Sequence, residues 1–498
     1  MSLTESLAQT IANSGIQAGE ASVGSLGRAL AEGTLTAAEL TAFYLARIEQ
    51  LNPSLRAVIT VGLQAPAEAA ASDARRASVA AGSAVLGPLD GIPVLIKDNV
   101  AAAGMPATAG SPALDRAAAV DAFLVGRLRA AGAVILGKAN LSEWANFRSR
   151  PSSSGLSTLG GQAVNPHGTG RSPSGSSSGS AIAVAAGLAP LAVGTETDGS
   201  IVSPAGACGV VGIKPTLGLV SRSGIVPISA AQDTAGPMTS TVADAAILLA
   251  AMAGPDPADA ATEAAAAHAV DYSAFLDPGA LDGARLGVWR AESEPAGAAT
   301  LAVLEAALAT LRRCGAQVVD PVELPDADKI GEPESAALTH EFKHDINAYL
   351  AALGGDHPAD LAVLIAFNSR NGATVLEHFG QEQFEAAEAT SGDLADADYV
   401  EARSAASRLA RGGLDTALSE HKLDAVIALT GPPPWLIDHV LGDYHFWGSS
   451  GPAAVAGYPS ITVPAGTVRG LPVGLLFTGP AWSEPRLIAL AHAFEMAR

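Results

Sequence analysis

Apolar residues along this chain follow two alternating rhythms. Leu40, Phe43, Tyr44, Ile48 and Leu51 recur at helical spacing. Thr36 with Glu39 makes a capping box ahead of them, and Asn52-Pro53 predicts the helix's end. Val94 to Ile96 is instead a short unbroken apolar run, as a strand buried on both faces requires, and it delivers Lys97 at its end. The alternation continues with a helix over 121–131 and a buried strand over 133–137 ending in Lys138. Further on come a helix over 242–253, a strand over 286–289, a helix over 298–313 closed by Gly315, and a strand over 317–322. Strands return at 425–429, 460–463 and 473–477, and a last helix starts at Glu484.

Between these elements, residues 1–20 are polar and weakly patterned and are expected to form an N-terminal extension. Residues 254–272 read as an acidic, Ala-rich connector. Residues 340–409 are mostly helical in pattern, which suggests either a cap beside a pocket, placed at about 330–410, or equally a plain helical layer. No internal repeat is present. Strands alternating with helices predict an α/β protein with a largely buried sheet. Because strands occur at both ends, the simplest topology is one domain over 21–498, its sheet completed by the C-terminal strands.

Composition narrows the picture. The 498 residues are 48% hydrophobic and 16% charged, enough apolar material for a large core. A net charge of −21 works against binding nucleic acid phosphates or anionic membranes. Apolar runs fall short of the roughly 18 residues that a membrane span needs, so a cytoplasmic location is expected. Secretion stays open if Met1, Ser2 and Leu3 stand in place of a removed signal peptide. Cys208 and Cys314 are far apart, with no disulfide framework and no metal-binding spacing.

The candidate chemistry lies between Asn165 and Met238, where GSSSGS (Gly175 to Ser180) and TDGS (Thr197 to Ser200) flank a short apolar helix pattern and a short apolar strand. Glycine and serine reach such density where backbone turns sharply or approaches something closely. GSSSG matches the G-x-S-x-G nucleophile elbow with Ser177 as nucleophile, but that elbow needs a strand directly before it, and HGTGRSP reads as a loop. A phosphate-cradling loop lacks its Lys-Ser/Thr end. A flexible linker is contradicted by Ile182, Val184, Ala185 and Leu188 directly after the cluster.

The whole stretch resembles the amidase signature family. The family pattern GGSSGGS, AAGLAPLA, GTDTGGSIR and CGVVGLKPT corresponds here to SGSSSGS, then AAGLAPLAVGTETDGSIVSPAGACGVVGIKPTLGLVSRSG, followed by QDTAGPM. GPLDGIPVLIKDNV and AVILGKANLSEWANF match upstream blocks, and AVAGYPSITVPAG with GLPVGLLFTG match C-terminal ones. The resemblance covers roughly 20–498. It implies a large central mixed β-sheet covered by helices, with a signature core over about 89–253 and a helical cap.

By that resemblance Ser200 is the nucleophile, Ser176 the bridging serine with a cis peptide bond before it, and Lys97 the base. Ser177 supports the network, and backbone N–H groups of Thr197, Asp198, Gly199 and Ser200 hold the oxyanion. Each role also makes chemical sense. Serine is a poor nucleophile until a neighbouring base takes its proton. Lysine serves as that base only when neutral, so its pKa must fall from about 10.4 through burial or nearby charge. Consecutive N–H groups at a turn stabilise a tetrahedral intermediate by about 3 to 4 kcal/mol per donor.

Three departures from the family pattern stand out. Asp198 replaces a glycine and is expected to point away from the oxyanion. Ser174 and Ser178 also replace glycines, and Ser203-Pro204 follows Ile201-Val202 where the family carries an arginine, which bears on substrate. Ser111, Ser142 and Ser149 read as loop or cap serines, and His340, His344 and His378 as surface or packing residues. The blocks NLSEWANFRS, HEFKHDINAYL, LIAFN and FGQEQF look most like the peptide amidase branch, which releases ammonia from C-terminal amides of peptides.

The expected activity is therefore hydrolysis of a carboxamide to a carboxylate and ammonia through an acyl-enzyme, without metal or organic cofactor, by a monomer or homodimer. Small aliphatic, aryl or fatty amides are the alternative substrates. The glutaminase component of a tRNA-dependent amidotransferase is a second alternative, and the acidic chain and long cap weigh against it. A catalytically dead binding protein on the same fold is the third, opposed by the presence of all three triad residues. In assays of ammonia release, Ser200→Ala abolishes turnover, and Lys97→Ala nearly does so at neutral pH with partial recovery at high pH. Full activity in either variant removes the assignment.

Overall fold

Unbroken apolar runs become strands because a sheet covered on both faces leaves them no solvent side. The computed structural model describes residues 21–80, 85–116, 118–443 and 447–498, so the expected extension over 1–20 lies outside the described residues. In chain order the strands are β1 (Val58–Val61), β2 (Pro93–Lys97), β3 (Val134–Ala139), β4 (Leu156–Ser157), β5 (Gly161–Gln162), β6 (Leu191–Glu196), β7 (Val211–Lys214) and β8 (Thr234–Thr239). They continue as β9 (Arg285–Trp289), β10 (Gln317–Val322), β11 (Ala425–Leu429), β12 (Ser460–Val468) and β13 (Leu471–Thr478).

Eleven of these strands form one mixed sheet, in the order β1-β3-β2-β6-β8-β7-β12-β13-β11-β9-β10, while β4 and β5 make a small separate ribbon. β3, β2 and β6 run parallel, as do β11, β9 and β10, and the strands between them are antiparallel. Every residue of β2, β3, β6, β7, β8 and β11 is buried. The C-terminal strands β12 and β13 sit in mid-sheet, joining β7 to β11.

Two elements differ from their predicted bounds. The helix begun by the Thr36–Glu39 capping box runs Ala37–Leu55, through Pro53. Proline removes one hydrogen bond there, a small loss in a last turn. The Arg56 N–H donates to Asn52 O, and the Asn52 side chain bonds both the N–H and the carbonyl of Val58, tying the end down. The hairpin β12–β13 extends beyond the apolar 460–463 and 473–477 to a two-residue turn at Arg469-Gly470, both with positive φ. Its outer half is polar and partly exposed, so hydrophobicity alone missed it. Two helices were not foreseen: Val23–Glu32, although Val23, Leu26 and Leu30 recur at helical spacing behind a Ser22–Ser25 capping box, and the Ala-rich Ala65–Ala80, whose apolar periodicity is weak.

The region expected to be helical folds as Gly331–Leu353, Leu361–Arg370, Gly372–Val375, Glu382–Glu388 and Ala397–Glu420. It shares an apolar cluster with Leu114, Trp144, Val226 and Ile228, in which Phe342 stacks on Phe384 at 5.0 Å and Phe384 meets Trp144 edge-on at 5.5 Å. Polar ties fix it to the turn before β8. Glu341 accepts from Ser229 Oγ at 2.6 Å and pairs with Arg403, whose Nη1 also reaches Gln232 Oε1 at 2.6 Å. Among the described residues no helix is long and apolar enough to cross a membrane. Phe342→Ala, which opens a void in this cluster, is expected to lower stability by about 3 to 5 kcal/mol, read from the midpoint of denaturant unfolding.

Candidate active site

The parallel pairing of β2 with β6 brings the site together. Val94, Leu95 and Ile96 lie opposite Leu191, Ala192 and Val193, so Lys97 at the carboxyl end of β2 comes level with the last residues of β6. Such ends are where open α/β sheets place their ligands. Lys97 is fully buried, and its Nζ lies 2.7 Å from Ser176 Oγ, 2.8 Å from Thr195 Oγ1 and 3.0 Å from Thr195 O. Burial lowers its pKa to about 7, against the opposing pull of Glu196 and Asp233. In the neutral amine the two Thr195 oxygens accept both hydrogens, which turns the lone pair toward the Ser176 hydroxyl.

Ser176 and Ser177 lie just before the helix Ser178–Ala185, which packs against β2 and β6. The Gly175–Ser176 peptide bond is cis, as the resemblance implies. Gly179 is required by packing, since a Cβ there would sit 2.3 Å from Ala57 O and 2.4 Å from Asn140 O. Ser177 is fully buried. Its Oγ donates to Thr195 O at 3.0 Å and accepts from the Thr195 N–H at 3.2 Å, and no strand precedes it. A hydroxyl so engaged, without the elbow's strand, is no exposed nucleophile, and the G-x-S-x-G reading falls away.

Ser200 enters from the turn after β6. Its carbonyl accepts the Ser177 N–H at 3.1 Å, which locks the two serine segments together. Its side chain opens on a cavity of about 390 Å³, lined also by Gly175, Asp198 and Gly199. The Ser200 hydroxyl makes no hydrogen bond with another described residue, so the structure joins Lys97 to Ser176 directly and Ser200 to them through the main chain. Gly199 takes φ +76°, where a Cβ would also meet Ser203 Oγ and Ser450 Oγ at 2.9 Å. Among the described residues, the N–H groups of Thr197, Asp198, Gly199 and Ser200 donate to no protein acceptor. Four free donors in succession suit an anion.

Asp198 is held by a distant segment. It lines the cavity, its carboxylate accepting from Ser450 Oγ at 2.6 Å. Ser111 and Ser142 accept the backbone N–H groups of Ala113 and Gly155, and Ser149 donates to Glu382. His344 and His378 are exposed and His340 half-buried, none in the cavity lining. Among the described residues no group of three or more His, Cys, Asp or Glu is placed to hold a metal ion.

Three neighbours were missed as site residues. Thr195 orients the lysine, and Asn99 Nδ2 holds its hydroxyl at 3.0 Å. Glu196 Oε2 accepts the N–H groups of Ile201 and Val202 at 2.7 and 3.0 Å, which fixes the turn carrying Ser200. Asp233 accepts from Thr197 Oγ1 at 2.5 Å and from the N–H groups of Ile228 and Ser229. Their signal was position: Thr195 and Glu196 lie in GTETDGS, and Asp233 in QDTAGPM.

A family model described as Amidase matches residues 39–488. The native peptide amidase from Stenotrophomonas maltophilia has the same fold with a TM-score of 0.90 at 51% identity, covering 96% of each chain. A probable amidase of Arabidopsis thaliana is 41% identical over 96% of this chain and 90% of its own length. A glutamyl-tRNA(Gln) amidotransferase component of Symbiobacterium thermophilum is 36% identical over 94% of this chain and 95% of its own.

A base with Lys97's pKa works only above it. The kcat/KM for an amide is expected to rise with pH on loss of one proton with a midpoint of about 7, and to fall about tenfold per pH unit below that midpoint. Because the Glu196 charge favours the protonated lysine, Glu196→Gln moves the midpoint to lower pH. A profile flat across neutrality contradicts Lys97 as the base.

Proposed function

The chain belongs to the amidase family and is an amide-hydrolysing enzyme, and from that premise we propose that it deamidates the C-terminal carboxamides of peptides through a Ser200–Ser176–Lys97 relay. The observation that carries the reading is the buried Lys97 Nζ, 2.7 Å from Ser176 Oγ and poised near neutrality.

Neutral Lys97 accepts the Ser176 proton while Ser176 takes that of Ser200, and Ser200 Oγ attacks the amide carbonyl. The oxyanion is held by the free N–H groups of Thr197, Asp198, Gly199 and Ser200. The intermediate collapses with cleavage of the C–N bond, and the relay returns a proton so that ammonia leaves. Water, deprotonated by the same relay, then attacks the acyl ester on Ser200 and releases the carboxylate. Ser177 and Thr195 position the relay. The sequence of steps needs neither metal nor organic cofactor. Residues 21–498 act in it as one domain, as a monomer or homodimer without a second protein.

Peptide amides are favoured over other amides by the 51% identity to a peptide amidase along almost the whole chain, cap included. The cavity between the nucleophile turn and the cap also has room for residues next to the amide. A glutaminase reading draws on the 36% identity to the amidotransferase component. The isolated chain is expected to release ammonia from a short C-terminally amidated peptide without internal cleavage, and at least about tenfold faster, by kcat/KM, than from glutamine or a fatty primary amide. Preference for glutamine, or activity only with a copurifying protein, moves the assignment to the amidotransferase reading.

A further inference from the structure

Among the described residues, the ionisable side chains lining the cavity that Ser200 faces are all acids. Asp198, Glu292 and Glu334 line it, together with Trp289 and Trp447, and no lysine or arginine is among its lining residues. The three acids come from separate segments: the nucleophile turn, the short turn after β9, and the first turn of the cap helix Gly331–Leu353. Resting on the amide-hydrolase reading above, we propose that this pocket selects peptide amides with a positively charged side chain near the scissile amide, with Glu334, Asp198 and Glu292 as the residues that set the preference.

Among the described residues, none of the three carboxylates takes part in an ion pair. Asp198 has the neutral Ser450 hydroxyl, and Glu334 Oε1 accepts from Gln232 Nε2 at 2.8 Å. The nearest cation along that network, Arg403, is committed to Glu341. Glu334 is only 8% exposed. Burial first, and then the charge of Asp198, raise its pKa to about 8. A cation arriving between the two relieves both effects, whereas an anionic side chain adds to the repulsion. Trp289 and Trp447 add aromatic surface on which a guanidinium packs favourably.

A second feature points to a bound polar group in the same place. A narrow slot shares Ser203 and Trp447 with the cavity and is also lined by Ser174. Ser174 is 1% exposed and its hydroxyl has no hydrogen-bond partner among the described residues. A buried hydroxyl is costly to leave unpaired, and a polar substrate group reaching into the slot would bond to it.

The test compares three N-blocked dipeptide amides ending in arginine, citrulline and glutamate. Citrulline keeps the shape of arginine without its charge. The expected kcat/KM order is arginine over citrulline by about tenfold or more, with glutamate slowest, and the first ratio shrinks as salt is raised. In Glu334→Gln the arginine-to-citrulline ratio drops to about threefold or less. Half-buried Glu292→Gln lowers it in the same direction should Glu334→Gln fail to fold. Each ratio is taken within one protein, so a general loss of activity does not alter it. Equal rates for arginine and citrulline in the unaltered enzyme, or a ratio untouched in both variants, overturn the inference while leaving the amidase reading in place. Turnover of glutamine or a fatty amide but of none of the three peptide amides removes the peptide reading and this inference with it.

Discussion

A lysine ammonium held out of water is the constraint on which the site depends. Exposed, Lys97 would keep its proton at neutral pH; buried at the end of β2, it loses that proton near neutrality. Burial by itself would leave a strong donor with nothing to bond. The surroundings answer with oxygens rather than carboxylates: both Thr195 oxygens and the Ser176 hydroxyl lie within 3.0 Å. The carboxylates of Glu196 and Asp233 act only through space. They offset part of the desolvation and keep the value near 7 instead of lower.

The same arrangement fixes the turn that carries Ser200. β6 ends in Thr195 and Glu196, and Glu196 reaches forward to the N–H groups of Ile201 and Val202. The turn between them is thereby closed with its own four N–H groups unspent. Ser177 bonds Thr195 through its hydroxyl and Ser200 through its N–H, so one residue spans the lysine side and the nucleophile side. Movement of any one of these groups disturbs the others, which is how a shared hydrogen-bond network converts local positions into a single geometry.

The cap decides what the site meets. It packs through an apolar cluster shared with Trp144, Val226 and Ile228 and is tied to the turn before β8 by Glu341, Arg403 and Gln232. Gln232 also donates to Thr197 O and to Glu334, so the segment that shapes the cavity wall is coupled to the nucleophile turn. Asp233, next in sequence, holds Thr197 from the other side. The cavity wall and the turn that carries Ser200 are therefore both tied to the turn before β8.

Much of this was legible in one dimension because it is local. Buried strands read as apolar runs, Lys97 stood at the end of one, and the Gly/Ser blocks named Ser176, Ser177 and Ser200 with the turn Thr197 to Ser200. Spacing within a turn or strand is a covalent matter, and sequence records it directly. The rest depended on segments far apart in the chain. The role of Thr195 follows from the parallel register of β6 against β2, and the end of the first long helix from the grip of Asn52 on Val58. Asp198 lines the cavity because Ser450, 252 residues away in the chain, engages its carboxylate. The acidity of the cavity is visible in no single motif, since Asp198, Glu292 and Glu334 meet only when the cap and the end of β9 close over Ser200. Side chains from distant segments acquire their neighbours, and hence their charges and proton affinities, only through packing.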